Sequence, residues 1–448
     1  MQDLLDDASK RAIRYLGGLA ARGVAPEPSA LARLPELDGP LPADGCEAAQ
    51  TLRLLDEVAS PATMASAGGR FFGFVIGGAL PVAIASNWLA TAWDQNAALQ
   101  GPARATSALE ATALRWLLDL LGLPSHCAGA FVTGATMANF SALAAARHAV
   151  LAHAGWSVES DGLFGAPPIT VAIGEEAHPT LVKSLGLLGL GRNRVLRVPV
   201  DGQGRMRADR LPALPAPAIL CLQAGNVNTG ASDPFEELVA QAHDAGAWVH
   251  VDGAFGLWAA ASRELATHVA GMALADSWAT DAHKWLNVPY DSGLAFVRDA
   301  DALRGAMAIS ADYLPVGDAR DPSDFTPELS RRARGVDVWA ALRTLGRAGV
   351  AAMVERCCAH ARRFARELEG AGFEILNDVA LNQVLACHGD AATTRRLIAA
   401  LQADGTCWCG ATTWQGRTAM RISVCSWATT DDDVTRSLAA MRRVASEL

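Results

Sequence analysis

From about residue 106 to residue 297, short apolar runs alternate with longer stretches whose apolar residues recur every three or four positions. The runs AFVT (130–133), ITVAI (169–173), RVLRVPV (194–200), AILCLQ (218–223), AWVHVD (247–252), SWAT (277–280) and LAFV (294–297) predict strands. The helical spacing predicts helices over 106–122, over 136–153, from near Pro179, and over 234–245. Strands that are apolar on both faces and alternate with helices predict a mainly parallel sheet covered on both sides, an α/β fold.

The flanking segments read differently. Leu4, Leu5, Ala8, Ile13 and Leu16 recur at helical spacing, as do Leu52, Leu55 and Val58, and five prolines interrupt the stretch between them. Residues 1–70 are therefore expected to form an N-terminal helical arm with too little core to stand alone. Residues 71–335 are expected to form a large α/β domain that includes a mobile loop at 310–335, because 299–335 is polar and rich in Gly, Pro and Asp. A long helical pattern over 336–370, short apolar runs and two further helical stretches predict a small C-terminal α+β domain over 336–448.

Composition narrows the function. The 448 residues carry a net charge of -9, which excludes an electrostatic footprint for nucleic acid. No apolar run approaches a membrane span, and the acidic N-terminus lacks a signal-peptide core. Nine scattered cysteines read as reduced thiols of a cytoplasmic protein, and their spacing predicts no metal site. Only three lysines occur, Lys10, Lys183 and Lys284, so a lysine flanked by Trp285 and Leu286 calls for a reason.

Ligands of open parallel sheets bind beyond the carboxyl ends of the strands. After the first strand, Gly134, Ala135 and Thr136 open a helix that contains Asn139, which suits a phosphate. His178 follows the second strand, either as a helix-start residue or as a flat ring for stacking. Asn226 and Thr229 lie in a Gly-Asn turn after AILCLQ, as turn formers or as ligand contacts. Asp252 ends a buried run and needs a cation or donor there. His283 and Lys284 follow SWAT, and a desolvated lysine suits a Schiff base. An amine for a Schiff base, an acid for a ring nitrogen, a phosphate turn and a flat ring are together what pyridoxal 5'-phosphate requires.

These residues, in this order, resemble the fold-type-I group II pyridoxal-phosphate decarboxylases, the family of aromatic-L-amino-acid and glutamate decarboxylases. The resemblance runs from about Phe71 to the end. HVDGAFG and DAHKWLNVPYDSG carry it most specifically, with support from GNVNTGASDPF, NWLATAWDQN and LEATALRWLLDLLGLP. It implies a transferase fold of type I, with Lys284 as the Schiff-base lysine and Asp252 as the ring-nitrogen partner. It further implies His178 as the stacking histidine and Ala254 on the opposite ring face. Ala135, Thr136 and Asn139 become phosphate contacts, and His283 a phosphate or substrate contact. Arg421 sits where related enzymes bind a carboxylate. Phe72 and Trp93, with Phe71 and Trp88, are candidates for the substrate pocket, although core packing explains each equally well.

Two departures stand out. The phosphate turn has less Ser and Gly than the family's. The stretch 321–334 carries Phe325 but no tyrosine, although the family's mobile loop carries a tyrosine there that returns a proton to the substrate; the chain's tyrosines are Tyr15, Tyr290 and Tyr313. The expected reaction is decarboxylation of an L-amino acid with an aromatic or apolar side chain. Aldehyde formation or another carbon–carbon cleavage is the alternative. A homodimer with sites at its interface is implied as well.

Overall fold

The computed structural model describes residues 1–309 and 320–448. The longer helices in chain order are α1 (Gln2–Gly18), α2 (Pro81–Trp93), α3 (Arg104–Leu120), α4 (Ala135–His153), α5 (Pro179–Leu187), α6 (Phe235–Asp244), α7 (Ala300–Met307), α8 (Gly335–Glu369), α9 (Ala391–Asp404) and α10 (Asp431–Ser446). The chain divides into two compact units. One holds residues 1–78, 363–376 and 384–448, and the other holds 79–362 and 377–383.

The larger unit is built on seven strands: β1 (Ala128–Val132), β2 (Thr170–Gly174), β3 (Leu196–Val198), β4 (Ala218–Gln223), β5 (Trp248–Asp252), β6 (Ser277–Asp281) and β7 (Gly293–Val297). They lie in the order β1-β7-β6-β5-β4-β2-β3. Pairing is parallel from β6 through β5, β4 and β2 to β3, and only β7 runs against its neighbours. This is the mainly parallel sheet that the doubly apolar runs predict. Every residue of β1, β6 and β7 is buried, as helices on both faces require. α4 covers one face: Leu143, Ala144 and Ala146 pack on Val171, Ile173, Ile219 and Cys221, while Ala142 and Ala145 meet Val297 and Leu303.

The described residues on either side of 310–319, namely 299–309 and 320–335, carry local structure. Asp299 accepts the N–H groups of Asp301 and Ala302 and so caps α7, which turns Ala302 and Leu303 inward. Phe325, in a short 3-10 turn (Pro322–Phe325), packs with Ala128 and Val297, at the end of β1 away from Gly134. Tyr313 and the rest of 310–319 lie outside the described residues.

The smaller unit contains a sheet of β8 (Glu374–Ile375), β9 (Gln383–Cys387), β10 (Gly410–Trp414) and β11 (Arg417–Ser423) in the order β10-β11-β9-β8, with α9 and α10 packed together. Its N-terminal residues join it through Arg70, which donates to Thr406, Ala20 and Arg22 carbonyls, and through Phe71 stacked on Trp408 at 5.0 Å. Gly73 is required there, because a Cβ would lie 2.2 Å from the Trp408 ring. Among the described residues, no helix is long and apolar enough to cross a membrane.

Candidate active site

Alternation along β5 sets the site's foundation. Trp248, His250 and Asp252 are spaced by two and so project to one face, the face covered by α4. Asp252 ends the strand, only 4% exposed. Its Oδ2 accepts from Asn139 Nδ2 at 3.1 Å and its Oδ1 from the Ala254 N–H at 3.2 Å. Burial pushes the Asp252 carboxyl above its ordinary range; His178, Lys284 and the Asn139 donor pull it back, and Asp281 adds to the rise. His178 and Asp252 line one narrow cavity with Gln223 and Asp233.

β6 delivers the lysine. The turn after Asp281 carries His283 and Lys284, and the chain returns at once as β7. Lys10 and Lys183 are exposed, whereas the Lys284 side chain is 20% exposed. Its setting is not purely apolar. Nζ stands 2.9 Å from Oδ2 of buried Asp281, whose Oδ1 accepts the Ala135 N–H at the start of α4 at 2.5 Å. One carboxylate thus ties the lysine to the proposed phosphate end. His283 accepts the Ser292 N–H at Nδ1 and stacks on Tyr290 with ring centroids 4.3 Å apart. Burial lowers the His283 pKa, Asp281 and Asp291 oppose that, and Lys284 adds to it.

The start of α4 is kept open by two glycines. A Cβ on Gly293 would lie 2.4 Å from Gly134 Cα, and one on Gly134 would lie 3.2 Å from the His283 ring. Among the described residues, two buried polar atoms near these turns have no hydrogen-bond partner, Ser292 Oγ and Asn226 Nδ2. His178 begins α5, and its Nδ1 meets the Thr180 hydroxyl at 2.7 Å. An enclosed carboxylate, an amine, a helix start cleared of side chains and two unspent polar groups fit pyridoxal phosphate.

The remaining candidates are placed as follows. Ala135, Thr136, Asn139, His178, Asn226, Asp252, Ala254, His283 and Lys284 all belong to the larger unit. Within it Asn139 bonds Asp252 and His250, so its amide is engaged behind the carboxylate. Thr229 donates its hydroxyl to the Gln203 carbonyl, a structural turn. Trp93 ends α2 with its ring partly exposed. Phe72 and Arg421 belong to the smaller unit. Phe72 is fully buried edge-on to Phe364, while Phe74 presents an exposed ring. Arg421 is half-buried on β11, where burial lowers its guanidinium pKa. Asp281, Ser292, His250 and Ser277 were not singled out from the sequence. Asp281 was within reach as the last residue of its strand. The others depend on strand register.

The pyridoxal-dependent decarboxylase conserved domain matches residues 55–387. Aromatic-L-amino-acid decarboxylase of Bacillus atrophaeus is 27% identical over 289 residues, covering 62% of this chain and 58% of that protein. Acidic amino acid decarboxylase GADL1 of Bos taurus is 28% identical over 283 residues, covering 60% of this chain and 53% of that protein. The matched part of the chain thus spans a little over half the length of each. The structure of Oryza sativa TDC with PLP and tryptamine superposes with a TM-score of 0.92 over 100% of this chain and 97% of that one, at 23% identity. That last likeness is one of fold.

Proposed function

The chain belongs to the pyridoxal-dependent decarboxylase family, and from that premise we propose that it releases CO2 from an L-amino acid with an aromatic or apolar side chain. The observation that carries the reading is the placement of Lys284 and buried Asp252 at the carboxyl ends of the adjacent parallel strands β6 and β5. When bound, pyridoxal phosphate supplies a conjugated ring that accepts the electron pair left at Cα as its bond to the carboxylate breaks. Lys284 is the covalent anchor. Asp252 in its carboxylate form, favoured by Lys284, His178 and the Asn139 donor against the cost of burial, holds a proton at the ring nitrogen. His178 and Ala254 are assigned as neighbours of the ring. The start of α4, with the Thr136 hydroxyl, holds the phosphate, assisted by Ser292 and His283, while the Ala135 N–H is held by Asp281. Asn226 offers its unspent amide.

The aromatic or apolar preference is supported by the exposed indoles of Trp88 and Trp93 on α2 and by the name of the Bacillus relative. The bovine relative acts on acidic amino acids by its name, so the substrate must be read directly. A cytoplasmic setting belongs to the same proposal, supported by nine cysteines that are all unpaired. A second reading, aldehyde formation, is favoured by Phe325, whose ring sits in the core and brings no hydroxyl.

Mass spectrometry of products from the holoenzyme and a pool of amino acids in air separates these readings. Amines are expected. Aldehydes with ammonia and peroxide would replace decarboxylation by the second reading, and amines from acidic residues alone would overturn the substrate class. Lys284→Ala is expected to lose the visible absorbance of bound cofactor together with turnover; absorbance retained at wild-type intensity would remove Lys284 from its role.

A further inference from the structure

Behind Asp252 lies a file of buried, mutually hydrogen-bonded polar groups. Trp248 Nε1 donates to Ser277 Oγ at 2.9 Å, Ser277 Oγ meets His250 Nδ1 at 3.0 Å, His250 Nε2 meets Asn139 Oδ1 at 2.8 Å, and Asn139 Nδ2 donates to Asp252 Oδ2 at 3.1 Å. His250, Asn139 and Ser277 are fully buried. His250 and Ser277 face each other across β5 and β6.

Donor and acceptor inventories set the direction of the file once Asp252 is ionised, because a carboxylate can only accept from the Asn139 NH2. An indole N–H can only donate, so one Ser277 lone pair is taken and its proton is free for His250 Nδ1. The His250 proton is then on Nε2 and goes to the Asn139 carbonyl oxygen, which leaves the Asn139 NH2 for Asp252. The reverse direction would put the amide oxygen against the carboxylate, which is tolerable only if Asp252 carries a proton. The direction and the negative charge on Asp252 therefore support each other.

We propose that Trp248, Ser277, His250 and Asn139 are positioning residues that form a one-way hydrogen-bond relay, orienting the Asp252 carboxylate and favouring its ionised form at the ring nitrogen. The proposal rests on the reading of Asp252 as the ring-nitrogen partner. None of the four residues touches substrate in it. Burial keeps His250 neutral, so the relay adds no positive charge that would compete for the carboxylate.

The test uses holoenzyme loaded with pyridoxal phosphate labelled with 15N in the ring, compared between wild type, Asn139→Leu, His250→Phe and Asp252→Asn. The 15N shift reads ring-nitrogen protonation directly. Wild type is expected to show a protonated nitrogen. Asn139→Leu and His250→Phe should bind cofactor but move the signal toward the unprotonated value, with kcat about tenfold lower at unchanged KM, on the scale of one hydrogen bond to a charged group. Both variants keeping the wild-type shift would overturn the relay. A wild-type shift in Asp252→Asn would instead overturn the role of Asp252, a distinct failure. Neutron diffraction from wild-type holoenzyme covers the case in which the variants do not fold. A proton on His250 Nε2 with Nδ1 bare supports the relay, and any other arrangement overturns it.

Discussion

Asp252 and Asp233 are carboxylates sealed into the same part of the larger unit, and they put the burial of charge to different uses. Asp252 faces the cavity with His178, and Asp252→Ala is expected to retain cofactor while losing about 10²-fold or more in kcat, as steady-state kinetics would show. Asp233 serves the backbone. It accepts the N–H groups of Met206 at 2.6 Å and Gln223 at 2.7 Å, yet burial dominates and raises its pKa to about 6. Burial lowers the His250 pKa to about 3. The signs are opposite. The Asp233 contribution to stability is full below its unfolded value and is lost as pH rises through about 6. The His250 contribution is full above its unfolded value and is lost as pH falls toward about 3. Between about pH 6 and pH 4 the two offset each other. In Asp233→Asn only the His250 loss remains. Relative to wild type, the variant should then lose about 1.4 kcal/mol of stability per pH unit as pH falls through that window. Urea denaturation across it checks the slope; parallel curves for the two proteins would count against the assignment.

At the scale of elements, the segment that follows the undescribed residues is held by several arginine contacts. Arg331, with its side chain fully buried, donates to Glu110 on α3 at 3.0 and 3.2 Å and to the carbonyls of Ala97 and Phe131. Arg332 reaches Asn87 and Thr91 on α2, and Arg334 pairs with Asp291 beside Tyr290. Removing one partner of a buried pair leaves the other charge uncompensated. Glu110→Ala should therefore cost about 3–5 kcal/mol, seen as a lower denaturation midpoint, and Glu110→Leu with Arg331→Met should recover much of it. The apolar runs made β1, β2, β4, β5, β6 and β7 legible, because doubly buried strands write themselves as continuous hydrophobic sequence. The capped helix α7 was not, since its polar face outweighs the two residues it buries. The placement of Lys284 and Asp252 at strand ends was legible, because each follows a continuous apolar run. The relay was not: Asn139 and Asp252 are 113 residues apart, and only the strand register and the helix above it join them.

At the scale of the whole molecule, α1 is the feature that points outward. Its seventeen residues include none that is buried, and Leu5 and Ile13 are each 62% exposed. An amphipathic helix left in this state is suited to a second copy of the chain. In line with the implied homodimer, sedimentation should give twice the chain mass of 46.8 kDa. Truncating α1 should shift the protein toward monomer, and an active monomer at all concentrations would refute the expectation.

The lone antiparallel strand has a consequence for how the molecule forms. β6 and β7 are joined by residues 282–292 alone, so this pair, with Lys284, the proposed cofactor lysine, in its turn, is a local hairpin. β1, whose end bears Gly134 and the start of α4, joins β7 from far away in sequence. Local pairings close quickly, and distant ones must first overcome the entropy of a long loop. The lysine's turn is thus expected early in the folding sequence and the proposed phosphate end late, so that cofactor capture would report on the last strand to arrive.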